Sequence, residues 1–493
     1  MLILLLFLTP PSLLLLHQLS LAFYNLYLHP LRDYPGPRSW IAFPILRYIE
    51  QCKGTFDLCM RGYHQYYGPV VRLDADSLSF ATAQAWKDIY GYGHGQNQWP
   101  KVEFRAPEAT PHIIFSNDAD HARFRRSLSH GFSDQALRLQ EGLIKKYVDK
   151  LIAGVREECE GARNVDLTMW YNLTTFDIIS DLAFGEPSNC LESKVYGHYI
   201  ETMFKFVQIV PYVLLANFYP TVWAVIKLLI GKKINERRQN LFDLGKQIVM
   251  KRKNDPSKQG RADFMESMLK SKEVLSDAEL ASNSHILFLA GSETTATLLT
   301  GVTYWMLKTP KTMERAVREV RSAFAKEEEI TFQSASTQLP YMLACLEEGL
   351  RMYSPITTIL LRTVPEDVVV SGYPVPKGTQ VGVHHEATYL APYNFHRANE
   401  FIPERWLSEA TTDEKNEFFR DNRDARQPFS MGPRNCIGRN LAFSEMRQIL
   451  ARMLWNFDLE LVEKDLDWSK QKTYALRVKG PLMARVSNRE WEE

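Results

Sequence analysis

Residues 429–439 read Phe429-Ser-Met-Gly432-Pro-Arg434-Asn-Cys436-Ile-Gly438-Arg439, and an apolar-periodic run over 440–455 follows at once. A lone cysteine is ordinarily a small buried hydrophobe, and that is the default for Cys52, Cys59, Cys159, Cys190 and Cys345. Cys436 differs in three ways. It ends a glycine-containing loop, so backbone N–H groups can come close to its sulfur. It opens a helix, whose N-terminal dipole favours a thiolate. Arg434, two residues earlier, can neutralise an anionic partner such as a haem propionate. Together these describe an axial thiolate on a haem iron, the ligand type that pushes electron density onto iron and favours O–O cleavage.

The pattern F-x-x-G-x-R-x-C-x-G, complete from Phe429 to Gly438, resembles the haem-binding signature of the cytochrome P-450 monooxygenases. The resemblance implies a mainly α (α+β) fold, a large helical body with small β-sheets. It implies haem b (iron protoporphyrin IX) held through Cys436, with Phe429, Gly432, Arg434 and Gly438 around it. It also implies O2 and NADPH-derived electrons as co-substrates, an NADPH–cytochrome P-450 reductase as partner, and an apolar small molecule as substrate.

Working towards the N-terminus, Ala290-Gly291-Ser292-Glu293-Thr294-Thr295 falls inside the helical segment 277–307. A mid-helix glycine costs roughly 1 kcal/mol against alanine, so it points to a packing or functional reason, such as a local opening beside a ligand. By itself an adjacent acid and hydroxyl are ordinary helix residues. The resemblance makes Thr294 and Glu293 the catalytic, proton-delivering pair. In Glu348-Gly-Leu-Arg351 the two charges share a helix face at i and i+3, and the resemblance completes them with Arg405 as a structural network. His121-Ala-Arg123-Phe-Arg125-Arg126 stands where the family usually has W-x-x-x-R, with histidine in place of tryptophan. The resemblance turns His121 and Arg125 towards a haem propionate and leaves Arg123 and Arg126 as a reductase-docking surface. Arg362 is implied as a further propionate ligand. The implied pocket lining is Ile356, Thr357, Thr358 and Ile359, joined by Ile286, Leu289 and Ala290 and by Phe104, Ile114 and Phe115.

At 493 residues and 45% hydrophobic, the chain can build a large core, and it shows no linker after the first forty residues and no repeat. A net charge of +1 carries no global case for nucleic-acid binding. Six scattered cysteines without a CxxC argue against a disulfide framework. The Asn172-Leu-Thr sequon lies in a helical pattern and reads as unused. Further helical patterns cover 136–155, 195–206, 235–253 and 312–326, with strand-like runs at 70–73, 368–375, 380–383 and 459–461.

Residues 1–28 carry no Asp, Glu, Lys or Arg, approaching the ~20 apolar residues that cross a bilayer. Neither a basic n-region nor a small-residue cleavage site marks a signal peptide. Arg32 and Arg38 follow the apolar run, which makes the body cytosolic by the positive-inside rule. The expected organisation is a transmembrane anchor at 1–29, a Pro-rich hinge at 30–40 and a catalytic domain at 41–493, single-pass in the endoplasmic reticulum membrane. The second apolar stretch, 206–230, is divided by Pro211 and Pro220 and reads as two short helices at the membrane surface or the pocket mouth.

Tyr24-Asn-Leu-Tyr27-Leu-His-Pro30, Leu128-Ser-His130-Gly-Phe-Ser133 and Asn399-Glu-Phe-Ile-Pro403-Glu-Arg-Trp406 are similar to a fungal secondary-metabolite branch, the trichothecene-hydroxylase group. That similarity implies hydroxylation of a mycotoxin-like intermediate. The same machinery also supports epoxidation, desaturation, cyclisation and aryl coupling. A haem-binding sensor or carrier is the reading from another class, and NADPH consumption with substrate separates it.

Overall fold

The computed structural model describes residues 2–92, 98–102, 110–160 and 164–489. Helix dominates, and the longest well-buried helix, Asp277–Lys308, runs through the middle of the core. Its start is set by a capping box. The Ser276 hydroxyl accepts from the Glu279 N–H, and the Glu279 carboxylate accepts from the Ser276 N–H. The helix Leu167–Phe184 packs along it and is buried on every side, which explains why its sequence lacks an amphipathic pattern. Helix Asp134–Glu160 packs on that second helix and on Arg439–Asn456, the helix that follows Cys436. Helix Pro340–Met352 closes the far side of the central helix.

Four small sheets sit at the margins of this body. One has strand order Val70–Arg72, Ser77–Phe80, Gln380–Val383, Arg362–Thr363. Its first pair is an antiparallel hairpin with Val70 opposite Phe80, and the next pair is parallel, with Ser77 opposite Gln380. A second sheet joins Asn164–Asp166, Met483–Asn488 and Phe457–Leu461, tying the C-terminus to the middle of the chain. The expected single strand at 368–375 is instead a hairpin, Val368–Val370 against Tyr373–Val375. Ser371 and Gly372, both at positive φ, turn it.

The 206–230 stretch differs from expectation. It belongs to two long helices, His198–Phe218 and Pro220–Lys253, of 21 and 34 residues. Pro211 is accommodated inside the first, and the break falls at Tyr219, before a proline at the first helical position.

The N-terminal helix spans Leu2–Phe23 and passes into a single π turn, Tyr24–Leu28. Leu13 to Leu16 are each 61–65% exposed, so this helix has no apolar partner in the body along that turn. Its exit from the body is held firmly. The fully buried Arg72 donates to the carbonyls of Asn25, Asp74 and Ala75, and the Tyr34 hydroxyl donates to the Pro374 carbonyl. Among the described residues, the central helix is long and apolar enough to cross a membrane, but it is mostly buried in protein, and Ser12–Leu28 is a shorter apolar helix. All six cysteines are free, and Asn172 is buried with its amide nitrogen donating to the Tyr196 hydroxyl, so its sequon is inaccessible.

Candidate active site around Cys436

The cysteine loop is closed by its own backbone. The Asn435 N–H donates to the Gly432 carbonyl at 3.1 Å, and the Cys436 N–H donates to the Phe429 carbonyl at 2.8 Å. Gly432 has φ +73°, and a Cβ there would collide with the Tyr90 carbonyl, so both backbone conformation and close approach demand glycine. The Phe429 ring packs on Phe443, centroids 5.3 Å apart, anchoring the loop to the following helix. Gly438 is the N-cap of that helix, which begins at Arg439. Cys436 is the one exposed cysteine, opening to a cleft. Enclosure by surrounding protein pushes its thiol up, while the Gly438 N–H and the Arg125 and Arg439 guanidiniums pull it down. A metal cation is what completes the shift to thiolate at such a site.

Around the cleft, positive groups converge. His121 and Arg362 are buried, at 7% and 8% exposure. Arg125 donates to the Asn435 carbonyl and side-chain oxygen at 2.7 and 2.6 Å. Arg434 donates to Asp118 at 2.6 Å and to the Ser116 carbonyl at 2.9 Å, and its Nη1 is buried without a partner. Lys101, on the strand-like contact with Arg362, donates to the Ile114 carbonyl. Burial, together with Arg434 and Arg362, pushes Lys101 down to about 7. Burial, then Arg434, Arg125 and Lys101, push His121 down to about 4. Five basic side chains therefore meet with Asp118 as the carboxylate that recurs among their interactions. Such a cluster is unfavourable unless an anion shares it. A haem with two propionates, its iron at Cys436, fits these residues.

Along the central helix, Ile286, Ala290 and Thr294 are half-buried, as are the adjoining His285, Leu289 and Gly291. Their four-residue spacing makes one stripe. The Thr294 hydroxyl donates to the Ala290 carbonyl at 2.6 Å. Glu293 turns elsewhere. Its Oε1 accepts from the buried Lys479 ammonium and from the Thr297 hydroxyl at 3.4 Å, while its Oε2 is buried with no hydrogen-bond partner. The acid and the hydroxyl are thus neighbours in sequence without bonding each other. The expected opening of the helix at Gly291 is not seen. The helix is continuous, and the glycine is needed because a Cβ would lie 2.5 Å from Ile179 on the packed neighbour.

The implied pocket wall divides by burial. Ile356 and Thr358 are half-buried, whereas Thr357 and Ile359 are buried and face the other way. The Thr357 hydroxyl donates to Asp57 at 2.5 Å, and Ile359 packs with Trp40, Phe56, Met60 and Leu73. These two belong to the core, which corrects the expectation for them. In the loop after Trp99, Ile113 is the inward residue, buried and with its N–H held by the Asn283 side chain on the central helix. Ile114 and Phe115 are 37% and 61% exposed. Phe104 lies outside the described residues. Leu289 and Ile286 pack against the main core.

The Glu348 network is closed and dry. Glu348 accepts from Arg351 at 2.7 and 2.9 Å, from Arg405 at 3.1 Å, from Trp406 Nε1 at 2.9 Å and from the Ile402 N–H at 2.9 Å. Arg351 also donates to the Tyr389, Ala398 and Glu400 carbonyls, and Arg405 to the His396 carbonyl and to Asp421. Arg123 is engaged by Asp120 and Glu279, and Arg126 pairs with Glu273 at the surface.

Lys101, Tyr90 and Lys479 escaped the sequence reading. Each stands alone in an unpatterned stretch, and nothing local marks it. Tyr90 bridges the first sheet and the cysteine loop, its hydroxyl donating to the Leu360 carbonyl at 2.7 Å and its ring 5.5 Å from the Arg362 guanidinium.

Comparison with known proteins bears on this geometry. The family model for cytochrome P-450 matches residues 34–485. The chain is 46% identical over 483 residues to the cytochrome P-450 monooxygenase olcB of Penicillium canescens, covering 97% of this chain and 98% of that one. It is 43% identical over 471 residues to a trichothecene C-4 hydroxylase of Trichoderma arundinaceum, covering 94% of each. Averantin hydroxylase of Dothistroma septosporum is 39% identical over 489 residues, covering 97% of this chain and 91% of the relative. The Cys436 loop, the cation cluster and matches spanning nearly the whole sequence lead to one statement: this chain belongs to the cytochrome P-450 family of haem-dependent monooxygenases.

Proposed function

We propose that the protein hydroxylates an apolar intermediate of fungal secondary metabolism, at the endoplasmic reticulum membrane, with NADPH electrons delivered by cytochrome P-450 reductase. The observation that carries the reading is the exposed Cys436 thiol at the end of a closed loop, within reach of a basic cluster suited to propionates. The relatives named as hydroxylases support the reaction type.

When bound, the haem supplies dioxygen activation and C–H oxidation. The protein's part is ligation, orientation and protons. Cys436 supplies the sulfur ligand, and the Gly438 N–H with Arg125 and Arg439 favours its charged form. Lys101, His121, Arg125, Arg362 and Arg434 would hold the propionates. Ile286, Ala290, Ile356 and Thr358 present a largely apolar wall to the substrate, which selects by shape and excludes water. Thr294 offers a hydroxyl on that wall, and Glu293, one residue back, is the acid that takes up and releases protons.

The 22-residue N-terminal helix is about 33 Å long at 1.5 Å per residue, enough for a bilayer core of about 30 Å. The Arg72 clamp at its exit would hold the body at a fixed angle to the membrane.

The test is the carbon monoxide spectrum of the reduced, purified protein beside Cys436→Ala. A strongly red-shifted Soret band lost in the variant is expected. An imidazole-type spectrum in the wild type, or no haem at all, overturns the reading. NADPH oxidation with reductase and a panel of apolar polyketide and terpenoid probes then tests turnover.

A further inference from the structure

Lys479 is a lysine in an unlikely place. Its side chain is 3% exposed and that of Glu293 is 5% exposed, and the ammonium donates to Glu293 Oε1 and to the Thr297 hydroxyl at 2.7 Å. Burying such a pair is expensive, and replacing it by apolar groups is often neutral or stabilising. Retention of the pair therefore calls for a use beyond stability. The loop that brings Lys479 in is rigid. The Gly480 carbonyl accepts from Thr168 at 3.0 Å and from Trp468 at 3.2 Å, and the Leu482 N–H donates to Asp166 at 3.0 Å. Both residues that clamp it from below, Asp166 and Thr168, also start the helix Leu167–Phe184 that packs on the central helix.

We propose that Lys479 is a positioning residue for proton delivery. Its ammonium pins Glu293 by Oε1 in a single orientation and keeps Oε2, which has no partner, as the oxygen that exchanges protons with water entering beside Thr294. This rests on the reading of Glu293 as the proton carrier. A proton from water adds to Oε2 and leaves from the same oxygen along the Thr294 stripe, returning Glu293 to the carboxylate; no electron passes through either residue. Tyr196 and Tyr353 also lie within electrostatic reach of Glu293. Both are neutral phenols at physiological pH, pushed up chiefly by burial, so Lys479 is the cation in this group. The pair spans the C-terminal loop and the central helix, joining the end of the chain to the oxygen side of the site.

The experiment uses the full-length ferric holoenzyme. Infrared spectroscopy of Lys479→Met at neutral pH is expected to show the carbonyl stretch of a protonated carboxylic acid absent from wild type. The double variant Glu293→Gln/Lys479→Met should lose that band. Lys479→Gln, which keeps a donor for the buried carboxylate, is the second variant should the methionine protein not fold, and it should give the same band. Lys479→Arg should give none. With reductase and NADPH in air, Lys479→Met is expected to slow oxygen consumption about tenfold or more with a larger solvent isotope effect, part of the roughly 10²–10⁴-fold that positioned proton transfer contributes. Lys479→Arg should restore most of the rate. No new band and an unchanged isotope effect in both neutral variants overturn the inference. If Glu293→Gln itself leaves rate and isotope effect unchanged, the parent reading of Glu293 fails, and that outcome is distinguishable because it does not depend on Lys479.

Discussion

Two sets of buried arginines in this molecule are treated in opposite ways. Arg351 and Arg405 meet Glu348 and Asp421 and have donors on backbone carbonyls of the 389–400 segment. Arg362 and Arg434 meet other cations, Lys101, His121 and Arg125, with Asp118 as the carboxylate between them. The first set is complete within the protein and holds the core. The second brings together more cations than carboxylates, a balance that a bound anion would complete. A buried charge is tolerable when paired and costly when not, so the presence or absence of a counter-charge separates a structural arginine from a binding one.

The strongest way to break this contrast is Glu348→Gln. It leaves Arg351 and Arg405 buried without their shared carboxylate, at an expected cost of about 3–5 kcal/mol. Denaturant unfolding of the variant should show that loss whether or not haem is bound. A variant with wild-type stability would mean that the network is not what holds this part of the core.

Arg434→Ala should behave in the opposite sense. It removes one repelling cation from the haem-free protein, so apoprotein stability should not fall by more than about 1 kcal/mol, the scale of an ion pair with one partner at the surface, as Asp118 is beside Arg434. Haem retention should weaken by about 1.5–3 kcal/mol, the scale of a charge-assisted hydrogen bond, or roughly 10- to 150-fold. Haem titration against an apoprotein melting curve separates the two effects.

The smallest effect is a pH dependence. Lys101 sits at about 7 in the haem-free protein, lowered from 10.5. The unfolded lysine keeps its proton up to the ordinary value, so the haem-free fold gains stability as pH rises from about 7 towards 10.5. Propionates beside Lys101 raise its folded value again, so haem uptake above pH 7 carries a proton with it. Haem affinity should therefore fall as pH rises above 7, by at most about tenfold per unit for one proton. Lys101→Arg should flatten the profile. A flat profile in wild type would remove Lys101 from the propionate cluster.

The legibility of the site followed how local its causes are. The loop at 429–438 was readable because glycine, arginine and cysteine act through neighbours in sequence. Gly432 is required by its own positive φ, and the helix beginning at Arg439 is announced by its periodicity. Helix 277–307 was readable to within a residue because its apolar residues recur at three- and four-residue spacing. The strands Ser77–Phe80 and Met483–Asn488 were not read, because each is defined by partners far along the chain, Gln380–Val383 and Phe457–Leu461. Gly291 could not be divided between a packing and a functional reason for the same cause, since the side chain a Cβ there would meet is that of Ile179, over a hundred residues away. Within the pocket wall, residues 356–359 were named as a block, and only their tertiary partners, Asp57 for Thr357 and Trp40 for Ile359, divide them into wall and core.

The sequence by itself determined the thiolate loop, the acid–hydroxyl helix, the Glu348–Arg351 pair and the family resemblance, because backbone conformation and helix-face charge pairs are short-range. Tertiary structure alone decided which charges are buried and which of them meet. Lys101 meets Arg434 and Arg362 from a distant part of the chain, and Lys479 meets Glu293 across 186 residues. Electrostatic energy depends on distance in space and on exclusion of water, and neither is written in the order of the residues.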